Sequence, residues 1–284
     1  MRRFDYFRPH SLEEAFQLKR TIPGARFISG GTDLMVQIKN RELKPTALIS
    51  LRSIPGLAAI QVNGDTRIGA LATISDLIQH PDLRYKHPVL IEAAKRLGSV
   101  QIRNVATIGG NLCNCSPSAD MATTLLVLDA KIRLQSTKAN REVSLNEFFL
   151  GPGETCLARD EILTDILLEP PSQNAKATFL KKSRVEMDLA IASVAVLLEM
   201  EGERCHKVRL AAGSVAPVPL RLYKVEALLE GVTISKKLVA EAQQLAAASV
   251  SPITDIRATE EYRRQIIGIF VKRALNEVLG WSQT

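Results

Sequence analysis

The chain has 284 residues, 46% hydrophobic and 24% charged, with 37 basic against 30 acidic residues and a formal net charge of +7. That length suggests one large or two ordinary domains, and that balance belongs to an ordinary globular protein and excludes a low-complexity one. The basic residues are scattered among acids with no long run, and only 5% of residues are aromatic, so no nucleic-acid surface built on charge runs or base stacking is expected.

In chain order, Phe4 to Phe7 reads as a short strand. Ser11-Leu12-Glu13-Glu14 is a capping box that opens a helix carrying Leu12, Ala15, Phe16 and Leu18 at near-helical spacing. Pro23-Gly24 ends the connection, and Ala25 to Ser29 reads as a strand running into Gly30-Gly31. Asp33 is placed to cap a helix over Leu34 to Lys39. Ala47 to Leu51 is a buried strand by its continuous apolar character. These elements make a β-α-β unit ending near Arg52. Asn63-Gly64-Asp65 between β-prone runs predicts a hairpin. Thr73 or Ser75 starts a short helix that stops before Pro81. Pro88 to Leu97 is a helix with Gly98 as its C-cap. Val100 to Ala106 leads into Gly109-Gly110. A helix over Asp120 to Leu128, a strand over Lys131 to Gln135, a short helix within Val143 to Leu150 and a strand over Glu161 to Leu168 follow.

Pro170-Pro171-Ser172-Gln173-Asn174 is the best linker. Beyond it, Thr178 to Leu180, Leu189 to Leu198 and Val208 to Ala212 read as strands of a small antiparallel sheet. Helices are predicted over Leu220 to Glu230, Ser235 to Ala248 and Glu260 to Leu279. A cofactor domain over 1–172 and a sheet-plus-helices domain over 173–284 are the expected division.

Two stretches stand out chemically: Arg26-Phe27-Ile28-Ser29-Gly30-Gly31-Thr32-Asp33 and Thr107-Ile108-Gly109-Gly110-Asn111. Each glycine pair follows a β-prone stretch and precedes an apolar run. Glycine allows positive φ and leaves no side chain between backbone and ligand. Successive N–H groups in such a turn make a concave anion site, and a following helix start adds more. Two such loops suit a diphosphate.

The four cysteines, Cys113, Cys115, Cys156 and Cys205, form no CxxC pair. They make no disulfide scaffold, and without a nearby histidine they point to no metal site. Met1-Arg2-Arg3 is followed by Phe4-Asp5-Tyr6, so no signal peptide is expected. The longest apolar stretch, Leu189 to Leu198, is too short for a membrane span. The expected location is cytoplasmic.

Taken together, Ser29-Gly30-Gly31-Thr32-Asp33-Leu34, Gln101-Ile102-Arg103-Asn104 and Ala106-Thr107-Ile108-Gly109-Gly110-Asn111 resemble the FAD-binding subunit of molybdenum hydroxylases, a family that includes xanthine dehydrogenase, carbon monoxide dehydrogenase and nicotinate dehydrogenase. The segments Asp255 to Thr259 and Glu261 to Arg264 resemble its C-terminal domain. The resemblance implies an α+β fold. Its first part is a FAD-binding domain of the vanillyl-alcohol-oxidase-like type, with subdomains over about 1–53 and 54–172. A small antiparallel sheet with a helical bundle follows.

The resemblance also implies a site. Arg26 through Asp33 would form the first diphosphate loop, and Thr107, Gly109, Gly110 and Asn111 the second. Arg26 would supply a cation for the adenosine end. Asp120 would accept from a ribose or adenine donor, with the N-cap of the next helix as its plain structural role. Leu97 and Leu163 would lie near adenine or the flavin ring, Lys181 near the flavin, and Cys113 facing the ring. The implied cofactor is non-covalent FAD. A small iron-sulfur subunit would carry [2Fe-2S] clusters and a large subunit the molybdopterin, arranged as a dimer of heterotrimers. Electrons would pass through the clusters to FAD here and on to an external acceptor. No residue presents itself as a general acid or base. A self-contained FAD-dependent oxidoreductase and a non-enzymatic nucleotide-binding scaffold are the alternatives.

Overall fold

The computed structural model describes residues 3–282; residues 1–2 and 283–284, the outer ends of the two expected domains, lie outside it. Strand β1 (Asp5–Phe7), helix α1 (Leu12–Thr21), β2 (Arg26–Ile28), α2 (Leu34–Lys39) and β3 (Ala47–Ser50) open the chain. They form a three-stranded parallel sheet in the order β1-β3-β2. β3 lies in the middle with all four residues buried, which is why its sequence is continuously apolar. Ser11 Oγ accepts the Glu14 N–H at 3.1 Å, as a capping box requires, but Glu14 reaches back to the His10 N–H at 2.8 Å rather than to that of Ser11.

β4 (Ile60–Asn63) and β5 (Asp65–Gly69) form the expected hairpin, turned by Gly64 at φ 81°. Helices α3 (Ile74–Gln79), α4 (Pro81–Lys86), α5 (Pro88–Lys95), α6 (Val100–Arg103), α7 (Ile108–Cys113) and α8 (Asp120–Val127) follow. Then come β6 (Lys131–Gln135), β7 (Asn140–Ser144), α9 (Leu145–Phe148), the short pair β8 (Phe149–Gly151) and β9 (Glu154–Thr155), and β10 (Ile162–Leu168). The second sheet is antiparallel, in the order β4-β5-β10-β6-β7. Its core joins Ile68, Ile132, Leu134, Leu163 and Ile166 of the sheet to Leu77, Leu90, Ile108 and Leu125 of the helices. α4 begins at Pro81, the residue expected to end α3: proline is favoured in the first turn of a helix, and His80 caps the end of one helix and the start of the next.

The third sheet has β11 (Ala175–Lys182), β12 (Ala192–Glu201), β13 (Arg204–Gly213) and β14 (Leu220–Arg221), antiparallel in chain order. Against it lie α10 (Tyr223–Leu229), α11 (Lys236–Ala248) and α12 (Glu260–Leu279). β12 alternates between two cores. Val194, Val196 and Leu198 pack with Val239, Ile267 and Val271 of the helices, whereas Ala195 and Leu197 join the core of the second sheet. That double burial explains the unbroken apolar run. It also makes all eight residues of α8 buried, since α8 is held between α5 on one side and β12 and β13 on the other. The helix expected from Leu220 begins at Tyr223, because Leu220 and Arg221 pair with β13. No helix of the described residues is long and apolar enough to cross a membrane.

Candidate functional site

The two glycine loops meet face to face. β2 delivers the first loop at the end of the parallel sheet, and β2 pairs with β3 so that Ile28 lies opposite Ser50. Gly30 is packed so closely on the second loop that a Cβ there would lie 2.2 Å from the Val105 carbonyl oxygen. Thr107 Oγ1 donates to Ser29 Oγ at 3.1 Å, joining the loops again. Gly31 takes φ 74°, a conformation that favours glycine. The backbone N–H groups of Gly30, Gly31, Thr32, Asp33 and Leu34 make no hydrogen bond to other described residues. They form a cluster of free donors, the concave anion site expected of such a turn.

The second loop differs from the expectation in two ways. Gly109 and Gly110 follow no strand: they occupy the first turn of α7, preceded by the short helix α6, with Thr107 as N-cap. The first-turn N–H groups are also already used. Those of Ile108 and Gly109 donate to the carbonyls of Ala72 and Ala70 at 3.0 and 2.8 Å, and those of Gly110 and Asn111 to Oγ1 and O of Thr107 at 3.1 and 3.0 Å. Its contribution is therefore close approach and side chains rather than free amides. Asp33 is a further correction. It stands at the N-cap of α2 in helical conformation without a capping bond, and its carboxylate accepts instead from Thr32 Oγ1 at 3.2 Å.

A cleft of about 1120 Å³ runs between the loops. Arg26 through Asp33 line one wall, and Leu97, Thr107, Gly110, Asn111 and Asp120 the other. Cys113 is exposed on the same wall. Three predicted residues do not line the cleft. Gly109 is held against Ala70, where a Cβ would lie 2.6 Å from the Ala70 Cβ, so its small size serves packing. Leu163 belongs to the core of the second sheet and is 5% exposed. Lys181 instead bonds from behind a lining residue: Nζ donates to Asp120 Oδ2 at 2.7 Å and to the Arg96 carbonyl at 2.9 Å.

Asp120 is not the N-cap of α8; Ala119 is, and Asp120 is its first residue. Burial pushes its carboxyl up to about 6, against the downward pull of the Lys181 ammonium. With Oδ2 on Lys181, Oδ1 is buried without a partner, and so is Asn111 Oδ1 on the same wall. Two orphaned acceptors opposite a cluster of free donors fit a ligand that carries anionic oxygens in one part and hydroxyl or N–H donors in another. Lys19, Arg20, Arg26 and Arg159 add positive charge along the cleft. Desolvation, helped by the charges of Arg26 and Arg159, lowers the Lys19 ammonium below its ordinary value.

Sequence reasoning missed Lys19, Arg159 and the segment Met187 to Leu189, which lines the cleft from the loop after β11. It also missed Arg52, whose guanidinium touches both loops. Basic residues outside a motif carry no local signal; the two carbonyl partners of Arg52 lie 23 and 53 residues away in sequence.

A cleft with these donors and acceptors, closed by two glycine-bearing turns, belongs to a dinucleotide-binding protein. Residues 2–170 match the family model of the FAD binding domain in molybdopterin dehydrogenase, and residues 177–278 that of the CO dehydrogenase flavoprotein C-terminal domain. The chain belongs to this family of FAD-binding subunits. It is 33% identical over 276 residues to the carbon monoxide dehydrogenase medium chain of Hydrogenophaga pseudoflava, with 96% of each chain covered. It is 30% identical over 278 residues to a xanthine dehydrogenase FAD-binding subunit of Escherichia coli O157:H7, covering 96% of this chain and 95% of that one. Among solved structures, a chain of the Hydrogenophaga pseudoflava carbon monoxide dehydrogenase superposes with a TM-score of 0.96 at 32% identity over 98% of both chains. A chain of quinoline 2-oxidoreductase from Pseudomonas putida 86 does so with 0.92 at 27% identity, again over 98% of both.

Proposed function

We propose that this chain is the FAD-binding electron-transfer subunit of a multisubunit molybdenum hydroxylase. Gly30 to Leu34 would hold the diphosphate on their free N–H groups, with Arg26 and Lys19 supplying cations. Asn111 Oδ1 and Asp120 Oδ1 would accept from hydroxyl or ring N–H donors, and Leu97 would pack on a ring face. Thr107 and Gly110 shape the opposite wall of that cradle. Bound there, FAD supplies redox chemistry that accepts electrons singly or in pairs. The observation that carries this reading is that one cleft is lined both by a loop of unpaired amides and by Asp120, whose second carboxylate oxygen has no partner.

The partners belong to the same proposal: a small iron-sulfur subunit with [2Fe-2S] clusters, a large molybdopterin subunit, and a dimer of heterotrimers. Support comes from relatives named medium chains or FAD-binding subunits of carbon monoxide and xanthine dehydrogenases, which this chain matches almost end to end. A cytoplasmic location is supported by four unpaired cysteines. The division into 1–172, with subdomains about 1–53 and 54–172, and 173–284 is supported by the helical bundle having a core drawn wholly from the second domain and by a separate core at the parallel sheet, to which Ile54, Leu57, Leu71 and Ile162 also contribute.

The test is a purified chain scanned for flavin absorbance and then acid-precipitated. About one FAD per chain, released into the supernatant, is expected. Added purines, aldehydes or N-heterocycles should not bleach the flavin anaerobically until the partner subunits are restored. Rapid bleaching by substrate alone would favour a self-contained flavoenzyme, and a chain that binds no flavin would overturn the reading.

A further inference from the structure

Arg52 sits in the turn Leu51–Ser53 immediately after β3. The parallel register sets Ile28 beside Ser50, so the residue two beyond Ser50 emerges next to Ser29. Arg52 Nε donates to the Ser29 carbonyl at 3.1 Å, and Nη2 of the same guanidinium donates to the Val105 carbonyl at 3.4 Å. These carbonyls stand just ahead of Gly30 and just ahead of Ala106-Thr107. One rigid fork thus spans the two loops, the first leaving strand β2 and the second joining helices α6 and α7, which touch where Gly30 lacks a side chain. The guanidinium makes no other hydrogen bond with described residues, and it does not line the cleft.

Resting on the FAD-binding reading above, we infer that Arg52 is a positioning residue that clamps the first glycine loop onto the second, fixing the direction of the free amides of Gly30 to Leu34. Rotation of the Ser29–Gly30 peptide plane would swing the Gly30 amide, the first of the five, away from its neighbours, and the bond from Arg52 to the Ser29 carbonyl opposes it. Because the effect is confined to the amide cluster, it should fall on ligands with a diphosphate and spare those without one. A lysine keeps the charge but offers a point donor in place of a planar fork, and cannot serve two diverging carbonyls in the same way.

The test measures FAD and riboflavin binding to the deflavinated chain by flavin fluorescence, together with the thermal midpoint of the ligand-free protein, for wild type, Arg52→Met and Arg52→Lys. The clamp predicts at least a tenfold loss of FAD affinity in Arg52→Met, an intermediate loss in Arg52→Lys, and riboflavin affinity within twofold of wild type in both. Equal loss of FAD and riboflavin would mark a general structural role and overturn the inference. Full FAD affinity in Arg52→Lys would reduce the residue to its charge and overturn it equally. Should Arg52→Met fail to fold, the lysine variant decides alone. If wild type itself binds no FAD, the functional reading fails; if wild type binds and Arg52→Met binds as well, only the clamp fails.

Discussion

Lys181 Nζ lies 2.7 Å from Asp120 Oδ2, and the two side chains are only 3% and 6% exposed. Lys181 comes from the edge strand of the third sheet and Asp120 from the first turn of α8, so the pair also fastens that sheet to the cleft wall. The lysine occupies one carboxylate oxygen and leaves the other for a ligand. Replacing it with methionine strands a buried carboxylate, at a cost of about 3–5 kcal/mol. Lys181→Met should lower the thermal midpoint and weaken FAD binding together. Asp120→Asn/Lys181→Met should recover part of the stability, because no buried charge is then left over. A double variant no more stable than Lys181→Met would show that the two groups are not coupled.

Protonation of Asp120 gives a pH dependence to binding. Its carboxyl stands at about 6 when buried without a ligand. As pH falls through that value the carboxylate takes a proton and Oδ1 becomes a poorer acceptor. FAD affinity should therefore decline between pH 7 and 5 in wild type and stay flat over that range in Asp120→Asn, measured by fluorescence titration.

His87 sets a separate acid limit on stability. It is 1% exposed, bonded through Nε2 to Thr66 Oγ1 at 3.0 Å, and its Nδ1 has no partner. Burial, helped by the Lys86 charge, lowers its imidazole to about 4. The folded state keeps it neutral while the unfolded chain takes up a proton near 6.5. The unfolded state thus binds more protons between those values, and stability is lost as pH falls from 6.5 towards 4, by about 3 kcal/mol in all. Chemical denaturation at several pH values should show this slope in wild type and not in His87→Gln, whose amide can still reach Thr66. Parallel pH profiles for the two proteins would refute it.

The adjacent glycines of α7 should behave differently. A Cβ on Gly109 would press on Ala70 Cβ and O at 2.6 and 2.7 Å, both fixed parts of the second sheet's packing. A Cβ on Gly110 would meet only the Thr107 and Ser29 hydroxyls, at 2.8 and 2.9 Å. Gly109→Ala should cost about 1–3 kcal/mol of stability as an overpacked core. Gly110→Val should leave the midpoint nearer wild type and reduce FAD affinity by about tenfold or more, equivalent to about 1.4 kcal/mol. Thermal denaturation and flavin titration on both variants separate the two roles.

Arg263 ties the helical bundle to the loop that borders the cleft. It is 3% exposed; Nη1 donates to the Ile191 and Ser214 carbonyls at 2.7 and 2.9 Å, and Nη2 to Asp255 at 2.8 Å. Arg263→Met should destabilise the protein by about 3 kcal/mol and speed proteolytic cutting between residues 183 and 190, whose C-terminal anchor is Ile191. Unchanged cleavage there would show that the loop is held by other contacts.

Several features were legible in the sequence because their causes are local. The N-cap at Ser11, the Asn-Gly hairpin and the strand-to-glycine pattern at Ala25 to Gly31 each arise from neighbours within a few residues. The two glycine motifs, through their likeness to one family, pointed to the FAD-binding family and its fold. What the chain alone did not determine is how its parts oppose one another. Helical conformation at Gly109-Gly110 is imposed by the Thr107 cap and by the fit of Gly109 against Ala70, 39 residues away. Pairing with Asp120 turns Lys181 from an exposed strand position into a buried one. The asymmetry between a first loop with free amides and a second whose amides are already used depends on the Ala70 and Ala72 carbonyls, which no local pattern announces. The clamp at Arg52 depends on strand register and on the contact at Gly30. Periodicity and turn chemistry are properties of adjacent residues and survive in one dimension; charge pairing, close backbone approach and the fate of each N–H are decided only when distant segments meet.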